Sequence, residues 1–265
     1  MSVKIIDTDT CSVCRNKVCC YSDARTKEIF HGIRSETTVC PVGVLSEGPL
    51  EIAEQRDGQW YFNDSKCINC GLCELNCGFY RNLSTEGLDY TEDSFANITE
   101  KQANAIACSY LHFIVGFTAN TNRHNALQFD GYACHDNGEE AFVEVSKGSD
   151  SLESVRRLLG DSLIYSPSGH RITTGIIVLQ EMPRVGSRNI FEVLEKMKSF
   201  PTTGNICVYL TTFKLLRFLA LHFQHAEFTF DQFLFDPMNE TPDQYVSKVC
   251  SLNQNIDESI LRQLL

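Results

Sequence analysis

The sequence predicts an α+β domain in the N-terminal third of the chain and an α/β domain, with a mixed sheet flanked by helices, in the remainder. Three observations support this division. Nine of the 13 cysteines lie before residue 84. A chain of 265 residues with 43% hydrophobic residues is long enough to bury a second core. After residue 99, helical patterns alternate with short apolar strands, as is typical of a sheet covered by helices.

The first domain is predicted to span residues 1–83 and to contain a β-hairpin. Leu50–Gln55 alternates in polarity, Asp57 and Gly58 follow, and Gln59–Asn63 is rich in aromatic residues. Alternation and aromatic residues favour strands, and an Asp-Gly pair favours a two-residue turn between them. We therefore expect two antiparallel strands joined by this turn.

A cysteine run in the same domain has the spacing of an iron–sulfur site. The pattern C-x2-C-x2-C-x3-C occurs at Cys67, Cys70, Cys73 and Cys77. Two intervening residues let each turn direct the next sulfur to a different iron of a [4Fe-4S] cluster. The fourth cysteine is expected to begin the following helix and to serve a second cluster. The run therefore predicts two clusters.

Candidate ligands for the second cluster lie nearer the N-terminus. They are Cys11, Cys14, Cys19, Cys20 and Cys40, the last of which precedes a proline. Over about residues 5–83 the chain resembles the bacterial two-cluster ferredoxin family. The resemblance implies one [4Fe-4S] cluster bound by the compact run and the Cys-Pro cysteine, namely Cys67, Cys70, Cys73 and Cys40. It implies a second [4Fe-4S] cluster bound by Cys11, Cys14, Cys77 and either Cys19 or Cys20.

Zinc binding and disulfide formation are the alternatives to cluster binding for these cysteines. Zinc also binds C-x2-C pairs, but its sites usually separate two such pairs by a long loop, so zinc stays a rival mainly for the N-terminal cysteines. Disulfides are rare in reducing cytosol, and the polar start MSVKIIDTDT is not an apolar signal segment. We therefore expect a cytoplasmic protein. The four cysteines outside the runs are expected to be buried thiols: Cys108, Cys134, Cys207 and Cys250.

A polar linker is predicted at residues 84–98 and the second domain at residues 99–265. Its elements follow from the helical spacing of apolar residues and from short apolar runs. The predicted helices are Glu100–Phe117, Ser149–Ile164, Asn189–Phe200 and Phe213–His222. The predicted strands are Ala126–Ala133, Ala141–Ser146, Gly175–Leu179 and Asn205–Leu210. The tail is rich in aromatic residues that are expected to complete the core, namely Phe213, Phe218, Phe223, Phe228, Phe230, Phe233 and Phe235.

Two acidic residues of the second domain form a candidate metal site. Asp130 belongs to one predicted strand and Glu144 to its hairpin partner, so strand pairing would bring their carboxylates together. Hard oxygen ligands of this kind bind Mg²⁺, which activates water for attack on a phosphodiester. The alternative is that one is a turn residue and the other a solvated strand residue.

The order of elements over about residues 99–225 resembles the restriction-endonuclease-like PD-(D/E)xK nuclease superfamily. The resemblance implies catalytic roles for Asp130, Glu144 and a lysine two residues after the second acid. Ser146 occupies that position, and Lys147 follows it. Because strand side chains alternate between faces, Lys147 is expected to face away from Glu144 unless a bulge rotates it. Either Lys147 enters the site, another cation replaces it, or the nuclease fold is inactive.

The formal net charge of −11 constrains the partners. Proteins that bind nucleic acid generally concentrate positive charge on one surface. If nucleic acid is bound, we therefore expect a protein partner to supply much of the binding surface. No apolar stretch is long enough to span a membrane. Two functions stay open. The first, which the hairpin acids favour, is a nuclease-like component of a nucleic-acid-processing or microbial restriction/defence complex. The second is an electron-transfer ferredoxin subunit whose C-terminal domain docks a redox partner.

Overall fold

The computed structural model divides the chain into two compact units, Met1–Ser109 and Tyr110–Leu265. Helices are numbered α1–α9 and strands β1–β9 in chain order. Cys19 and Cys20 lie outside the residues that the structure describes, which are 3–14, 40–41, 53–62, 67–77, 81–85, 96–115, 118–119, 130–134, 139–147, 151–164, 172–183, 190–199, 206–223 and 228–265.

The first unit contains a four-stranded antiparallel sheet. Its elements in chain order are β1 (Val3–Ile5), α1 (Thr8–Val13), β2 (Ala53–Arg56), β3 (Gln59–Phe62), α2 (Leu72–Asn76) and β4 (Leu83–Thr85). The strand order is β2-β3-β1-β4. The first strand is therefore central, and Ile5 pairs with Trp60 on one side and with Leu83 on the other. Both helices connect a strand to the loops that carry the cysteines.

The predicted hairpin is confirmed. Strands β2 and β3 pair antiparallel, with Arg56 opposite Gln59. Asp57 and Gly58 form the turn with φ of 50° and 78°. Positive φ at both turn residues matches the right-handed twist of the flanking strands, and an Asp-Gly pair adopts it at low cost.

The linker begins later in the chain than predicted. Ser84 and Thr85 extend β4 and pair with Lys4 and Val3 of β1. Their polar side chains made them resemble a loop in sequence, whereas the backbone hydrogen bonds to β1 place them in the sheet.

Helix α3 (Glu100–Val115) contains the boundary between the two units. It was predicted to begin near Thr99, and this is confirmed. The Thr99 Oγ1 accepts the Gln102 N–H at 3.2 Å, and the Gln102 Oε1 accepts the Thr99 N–H at 2.8 Å. The two residues therefore form a reciprocal cap at the start of the helix.

The second unit contains a mixed five-stranded sheet. Its strands lie in the order β5 (Thr118–Ala119), β6 (Gly131–Cys134), β7 (Glu140–Val145), β8 (Thr174–Leu179) and β9 (Cys207–Thr212). The pairs β5–β6 and β6–β7 are antiparallel, and β7–β8 and β8–β9 are parallel. Three helices follow the last three strands in turn, namely α4 (Ser151–Ile164), α5 (Ile190–Lys198) and α6 (Phe213–His222). The predicted alternation of helices and strands in this unit is confirmed.

Helix α4 approaches β8 most closely at Gly175. A Cβ added at Gly175 would lie within 2.7 Å of the Leu158 Cγ and closer still to its terminal carbons. Leu158 is fully buried in α4. The absent side chain at Gly175 therefore lets the helix pack directly on the strand.

Replacing Gly175 by alanine is expected to destabilise the second unit. The added methyl would displace a buried leucine in a packed core, at a cost of about 1–3 kcal/mol in unfolding free energy. Urea unfolding followed by circular dichroism measures the change. The matched control is Gly160→Ala in α4, where an added Cβ meets nothing within 4 Å. That change is expected to stabilise the helix by about 0.5–1 kcal/mol, and an equal effect of both substitutions would contradict the packing argument.

The aromatic tail completes the core of the second unit, as predicted. Phe235 forms a bridge with Leu210 of β9, and the Tyr245 hydroxyl donates to the Phe233 carbonyl oxygen at 2.8 Å. Three short helices follow α6, namely α7 (Phe230–Phe233), α8 (Pro242–Leu252) and α9 (Glu258–Gln263). Six of the seven tail phenylalanines are buried: Phe213, Phe218, Phe223, Phe230, Phe233 and Phe235.

Five helices of the described chain begin with two kinds of cap. In α3, α7 and α8 the cap is a threonine with a glutamine three residues later: Thr99 and Gln102, Thr229 and Gln232, Thr241 and Gln244. In α1 and α9 the cap is an aspartate, Asp7 or Asp257, whose side chain accepts N–H groups of the first turn. Both kinds satisfy backbone donors that the helix itself leaves without partners. No helix in the described part of the chain is long and apolar enough to cross a membrane.

Candidate functional site

The loop that carries the compact cysteine run turns sharply between successive cysteines. Asn69 and Gly71 have φ of 57° and 72°, in the left-handed region. Asn69 is 1% exposed, and Cys70 is buried between these two residues. Two left-handed residues within three positions therefore bend the chain sharply on both sides of Cys70.

Cys77 ends α2, whereas the spacing argument placed it at the start of a helix. Gly71 precedes the first helical residue, so α2 runs from Leu72 to Asn76 and includes Cys73. Cys77 is the C-terminal cap, and its N–H donates to the Cys73 carbonyl oxygen at 3.0 Å. The left-handed Gly71 starts the helix early, and this moves the fourth cysteine to the end of the helix. Cys77 is 5% exposed and belongs to the core of the first unit.

Several cysteines from distant parts of the sequence meet on one apolar core. The core consists of Val3, Ile5 and Leu83 together with Cys77. The half-buried cysteines packed against it are Cys11, Cys40, Cys67 and Cys73. Sheet pairing of β1 with β3 and β4 creates this core, and the loops between the strands bring the cysteines to it. The folded first unit therefore collects members of both predicted ligand sets.

Asn82 links one cysteine of each run. Its side-chain Nδ2 donates to the Cys11 Sγ at 3.0 Å, and its backbone N–H donates to the Cys77 Sγ at 3.4 Å. Cys11 lies in α1 and Cys77 ends α2, so this contact joins the two halves of the unit. The sequence carried no signal for Asn82, because an isolated asparagine before a strand is an ordinary loop residue.

The other predicted cluster ligands occupy varied positions. Cys14 caps the C-terminal end of α1, and its N–H donates to the Cys11 carbonyl oxygen at 3.3 Å. Cys40 precedes Pro41, whose carbonyl oxygen accepts the Gln102 Nε2–H at 2.7 Å. This bond fastens the Cys-Pro segment to the start of α3.

The donor chemistry of the first unit fits an iron–sulfur cluster. A single zinc ion needs all its ligands at about 2.0–2.3 Å from one centre. Among the described residues, no three His, Cys, Asp or Glu side chains are grouped to hold one ion in common. A [4Fe-4S] cluster places each cysteine on a different iron, and its assignment here rests on the cysteine runs and on the packing of their thiols against one core. N–H donors to cysteine sulfur, as Asn82 supplies, also suit thiolate ligands because they stabilise negative charge.

In the second unit, the β6–β7 hairpin sets Asp130 against Glu144. Asp130 directly precedes β6, instead of lying within a strand as predicted. Gly131 pairs with Val143, so continuing the antiparallel register places Asp130 opposite Glu144 and on the same face. The Asp130 Oδ2 accepts the Val145 N–H at 2.8 Å. The sequence argument therefore located both acids at one end of the hairpin.

Glu144 is fully buried and lies beside a cation on α4. Its side chain is 0% exposed, and its Oε2 is 4.0 Å from the Arg157 Nη1. Arg157 also lies 3.6 Å from Glu153 one turn earlier in the helix. No signal in the sequence paired Arg157 with Glu144, since its four-residue spacing from Glu153 is typical of an exposed helical ion pair. Here the same guanidinium reaches the buried strand carboxylate.

Lys147 lies beyond the end of β7. The strand ends at Val145, and the Ser146 N–H still donates to the Val178 carbonyl oxygen of β8 at 2.8 Å. Lys147 is the first residue after this last ladder bond. The expectation that Lys147 faces away from Glu144 assumed that side chains alternate strictly along a strand. Because Lys147 lies beyond the strand, this alternation does not determine its direction.

Three of the remaining cysteines and His222 lie in environments typical of residues that stabilise a fold. Cys108 is fully buried in α3, as predicted. Cys207 and Cys250 are half-buried, and burial raises the pKa of both thiols, which makes them weak nucleophiles and weak metal ligands. Burial lowers the pKa of His222, whose ring packs 4.6 Å from that of Phe218.

No protein-family model, curated protein or solved structure matches this chain.

Proposed function

We propose that this chain is an iron–sulfur protein with a nuclease-like second unit, acting in a nucleic-acid-processing or microbial restriction/defence complex. The observation that carries the iron–sulfur part is the meeting of Cys11 and Cys77 at Asn82. These cysteines belong to different runs, and a two-cluster ferredoxin arrangement requires the fourth cysteine of one run to serve the cluster of the other.

The topology of the first unit supports this proposal. Its described elements follow the order β-α-β-β-α-β, and the first strand is central between β3 and β4. The ferredoxin-like split βαβ motif has the same order of elements, which supports the proposal. In such a unit the two strand–helix halves bring their cysteine loops to a common core.

The ligand sets of the proposal follow the two runs. One cluster is held by Cys67, Cys70, Cys73 and Cys40. The other is held by Cys11, Cys14, Cys77 and one of the pair Cys19 and Cys20. Bound clusters of this type supply one-electron chemistry, at potentials that hydrogen bonds and burial adjust.

Metal analysis of protein purified without oxygen tests the first half of the proposal. The expected result is about eight iron atoms and eight sulfides per chain, as two [4Fe-4S] clusters contain, together with broad visible absorption that bleaches on reduction. Zinc in stoichiometric amount, or protein without metal or colour, would contradict the assignment.

The carboxylate pair supports the nuclease-like half. The sheet order β5-β6-β7-β8-β9, antiparallel at first and then parallel, with α4 between β7 and β8, agrees with the resemblance to restriction-endonuclease-like proteins. We propose that Asp130 and Glu144, which lie opposite each other in the register of the hairpin, hold Mg²⁺ as the paired acids of that superfamily do. A bound Mg²⁺ would supply Lewis-acid activation of water and phosphate. We propose that Arg157, which lies beside Glu144, takes the role of the missing motif lysine.

A protein partner completes the proposal. The chain carries a formal net charge of −11, which repels a polyanion. We propose that another subunit supplies most of the positive surface that holds the nucleic acid. Cleavage that requires added partner subunits, and that falls steeply with salt, is the expected behaviour.

One observation favours the alternative, an electron-transfer subunit. Ile6 precedes α1 and Val13 is its last residue, and they are 57% and 73% exposed. Apolar residues exposed beside the Cys11 helix are suited to docking a redox partner. Acceleration of a partner oxidoreductase by the reduced protein would favour this alternative, and clusters that stay oxidised throughout the accessible potential range would reject it.

A further inference from the structure

Asn82 lies in the interior of the first unit, between two candidate ligand sulfurs. It is 4% exposed and stands between a turn at Arg81, with φ of 48°, and the start of β4. The Arg81 N–H donates to the Cys77 carbonyl oxygen at 2.7 Å, and the Ile6 N–H donates to the Asn82 carbonyl oxygen at 3.0 Å. The backbone of Asn82 is therefore held from both sides.

Two hydrogen bonds to the backbone of Asp7 fix the orientation of the Asn82 amide. The Oδ1 accepts the Asp7 N–H at 2.8 Å, and the Nδ2 donates to the Asp7 carbonyl oxygen at 2.6 Å. Rotating the amide by half a turn would set oxygen against carbonyl oxygen and nitrogen against N–H. The side-chain NH₂ group must therefore face Asp7 and the Cys11 Sγ, which it reaches at 3.0 Å.

The chemistry of the two sulfurs gives these donors an electrical effect. A cysteine that binds iron does so as a thiolate, and an N–H donor stabilises its negative charge. If a cluster is bound, its reduction by an external one-electron reductant would add negative charge that the cysteine sulfurs share, with no bond broken and no proton moved. The Asn82 donors therefore stabilise the reduced state more than the oxidised state.

We propose that Asn82 is a positioning residue that raises the reduction potential of the cluster bound by Cys11 and Cys77. The inference rests on the proposed clusters. It attributes a difference in reduction potential between the two clusters to the buried side-chain amide of Asn82. Substitution of Asn82 removes only the Nδ2 donor to Cys11, because the backbone N–H that donates to Cys77 is present with any side chain.

Redox titration monitored by electron paramagnetic resonance tests this role. Asn82→Asp replaces the donor NH₂ by an oxygen, and Asn82→Ser removes it without adding charge. In both variants the ratio of reduced to oxidised cluster at a fixed potential is expected to fall about tenfold for one cluster, which is about 59 mV for a one-electron couple. The other cluster is expected to titrate as before.

Asn76→Asp is the matched control. The Asn76 Nδ2 donates to the Leu72 carbonyl oxygen at 2.7 Å, one residue before Cys77. This variant undergoes the same amide-to-carboxylate change without losing a donor to sulfur. The reduction potential is expected to shift less in Asn76→Asp than in Asn82→Asp. An equal shift would overturn the proposal, because the added negative charge alone would then explain the effect.

The iron content of the unsubstituted protein separates the possible failures. Absence of clusters there would contradict the proposed function itself. Intact clusters with unchanged potentials in both Asn82 variants would overturn only the role of Asn82. Loss of the Cys11–Cys77 cluster from both variants, with retention of the other, would assign Asn82 to structural support and would equally overturn it.

Discussion

Replacing Cys11 or Cys77 by serine is expected to remove the same cluster and to leave the other in place. Asn82 contacts both sulfurs, so these cysteines lie at one site although they belong to different runs. Each variant should retain about four of the eight irons of two [4Fe-4S] clusters. Cys70→Ser is expected to remove the complementary four. Iron analysis and paramagnetic resonance of the reduced variants distinguish the two clusters by their spectra.

The stability of the first unit should fall with each lost cluster. One cluster of buried residues in this unit contains Val3, Ile5, Leu83 and Cys77, and half-buried cysteines pack against it. Because these cysteines lie against buried core, bonds from their sulfurs to iron are expected to provide part of the folding free energy. Cys250→Ser in α8 is the matched control and should retain both clusters. If Cys77→Ser and Cys70→Ser lost the same cluster, the crossed assignment would be wrong.

Asp130→Asn and Glu144→Gln are expected to abolish metal-dependent cleavage of nucleic acid. Both substitutions keep the shape of the side chain and remove the negative charge that binds Mg²⁺. A loss of at least about 100-fold in cleavage rate is expected when the metal or its activated water is lost. The assay uses DNA and RNA substrates with Mg²⁺ or Mn²⁺, with the protein alone and together with subunits of its complex.

Glu153→Gln supplies the control for these substitutions. Glu153 is a half-exposed carboxylate on α4 that contacts Arg157, as Glu144 does, but from the solvent side. Its replacement is expected to leave cleavage unchanged. Arg157→Ala is expected to weaken cleavage if the guanidinium replaces the motif lysine. Cutting that persists in both the Asp130 and the Glu144 variants would exclude this site, and an uncut substrate under all conditions would assign the second unit to an inactive nuclease fold.

Local signals in the sequence predicted several elements well. The Asp57-Gly58 turn was identified because only a few residue pairs adopt two positive φ values readily. Helix α6 was predicted with its observed bounds, Phe213–His222, because its apolar spacing is regular and Thr212 caps it. In these places the information that determines the structure lies within a few adjacent residues.

Strand β9 marks the limit of this kind of reasoning. It was predicted at Asn205–Leu210, and the described strand is Cys207–Thr212. Thr211 and Thr212 are polar and so ended the apolar run, yet both are buried and pair with Val178 and Leu179 of β8. Tertiary pairing, which no local pattern encodes, extended the strand.

In the candidate sites, too, local sequence patterns predicted some residues, and contacts between remote residues determined others. Cysteine spacing indicated the ligand runs, and hairpin pairing indicated that Asp130 and Glu144 meet. Asn82 and Arg157 had no such signal, because each acquires its role from a contact with a residue remote in sequence. The choice between Cys19 and Cys20 stays a prediction, since both lie outside the described residues.

The two kinds of helix cap should respond differently to acid. The Thr10 hydroxyl and the Asp9 N–H hold the pKa of Asp7 below its usual value, and the hydroxyl and N–H of Ser259 do the same for Asp257. A lowered pKa in the folded state means that each carboxylate contributes stability above its ordinary pKa and loses it as pH falls through the folded value. The threonine–glutamine caps have no titrating group. Strong acid should therefore fray α1, which carries Cys11, and α9 near the C-terminal end, while α3 and α8 between them stay capped. A proposed cluster ligand is thus expected to loosen at a pH at which the middle helices still hold.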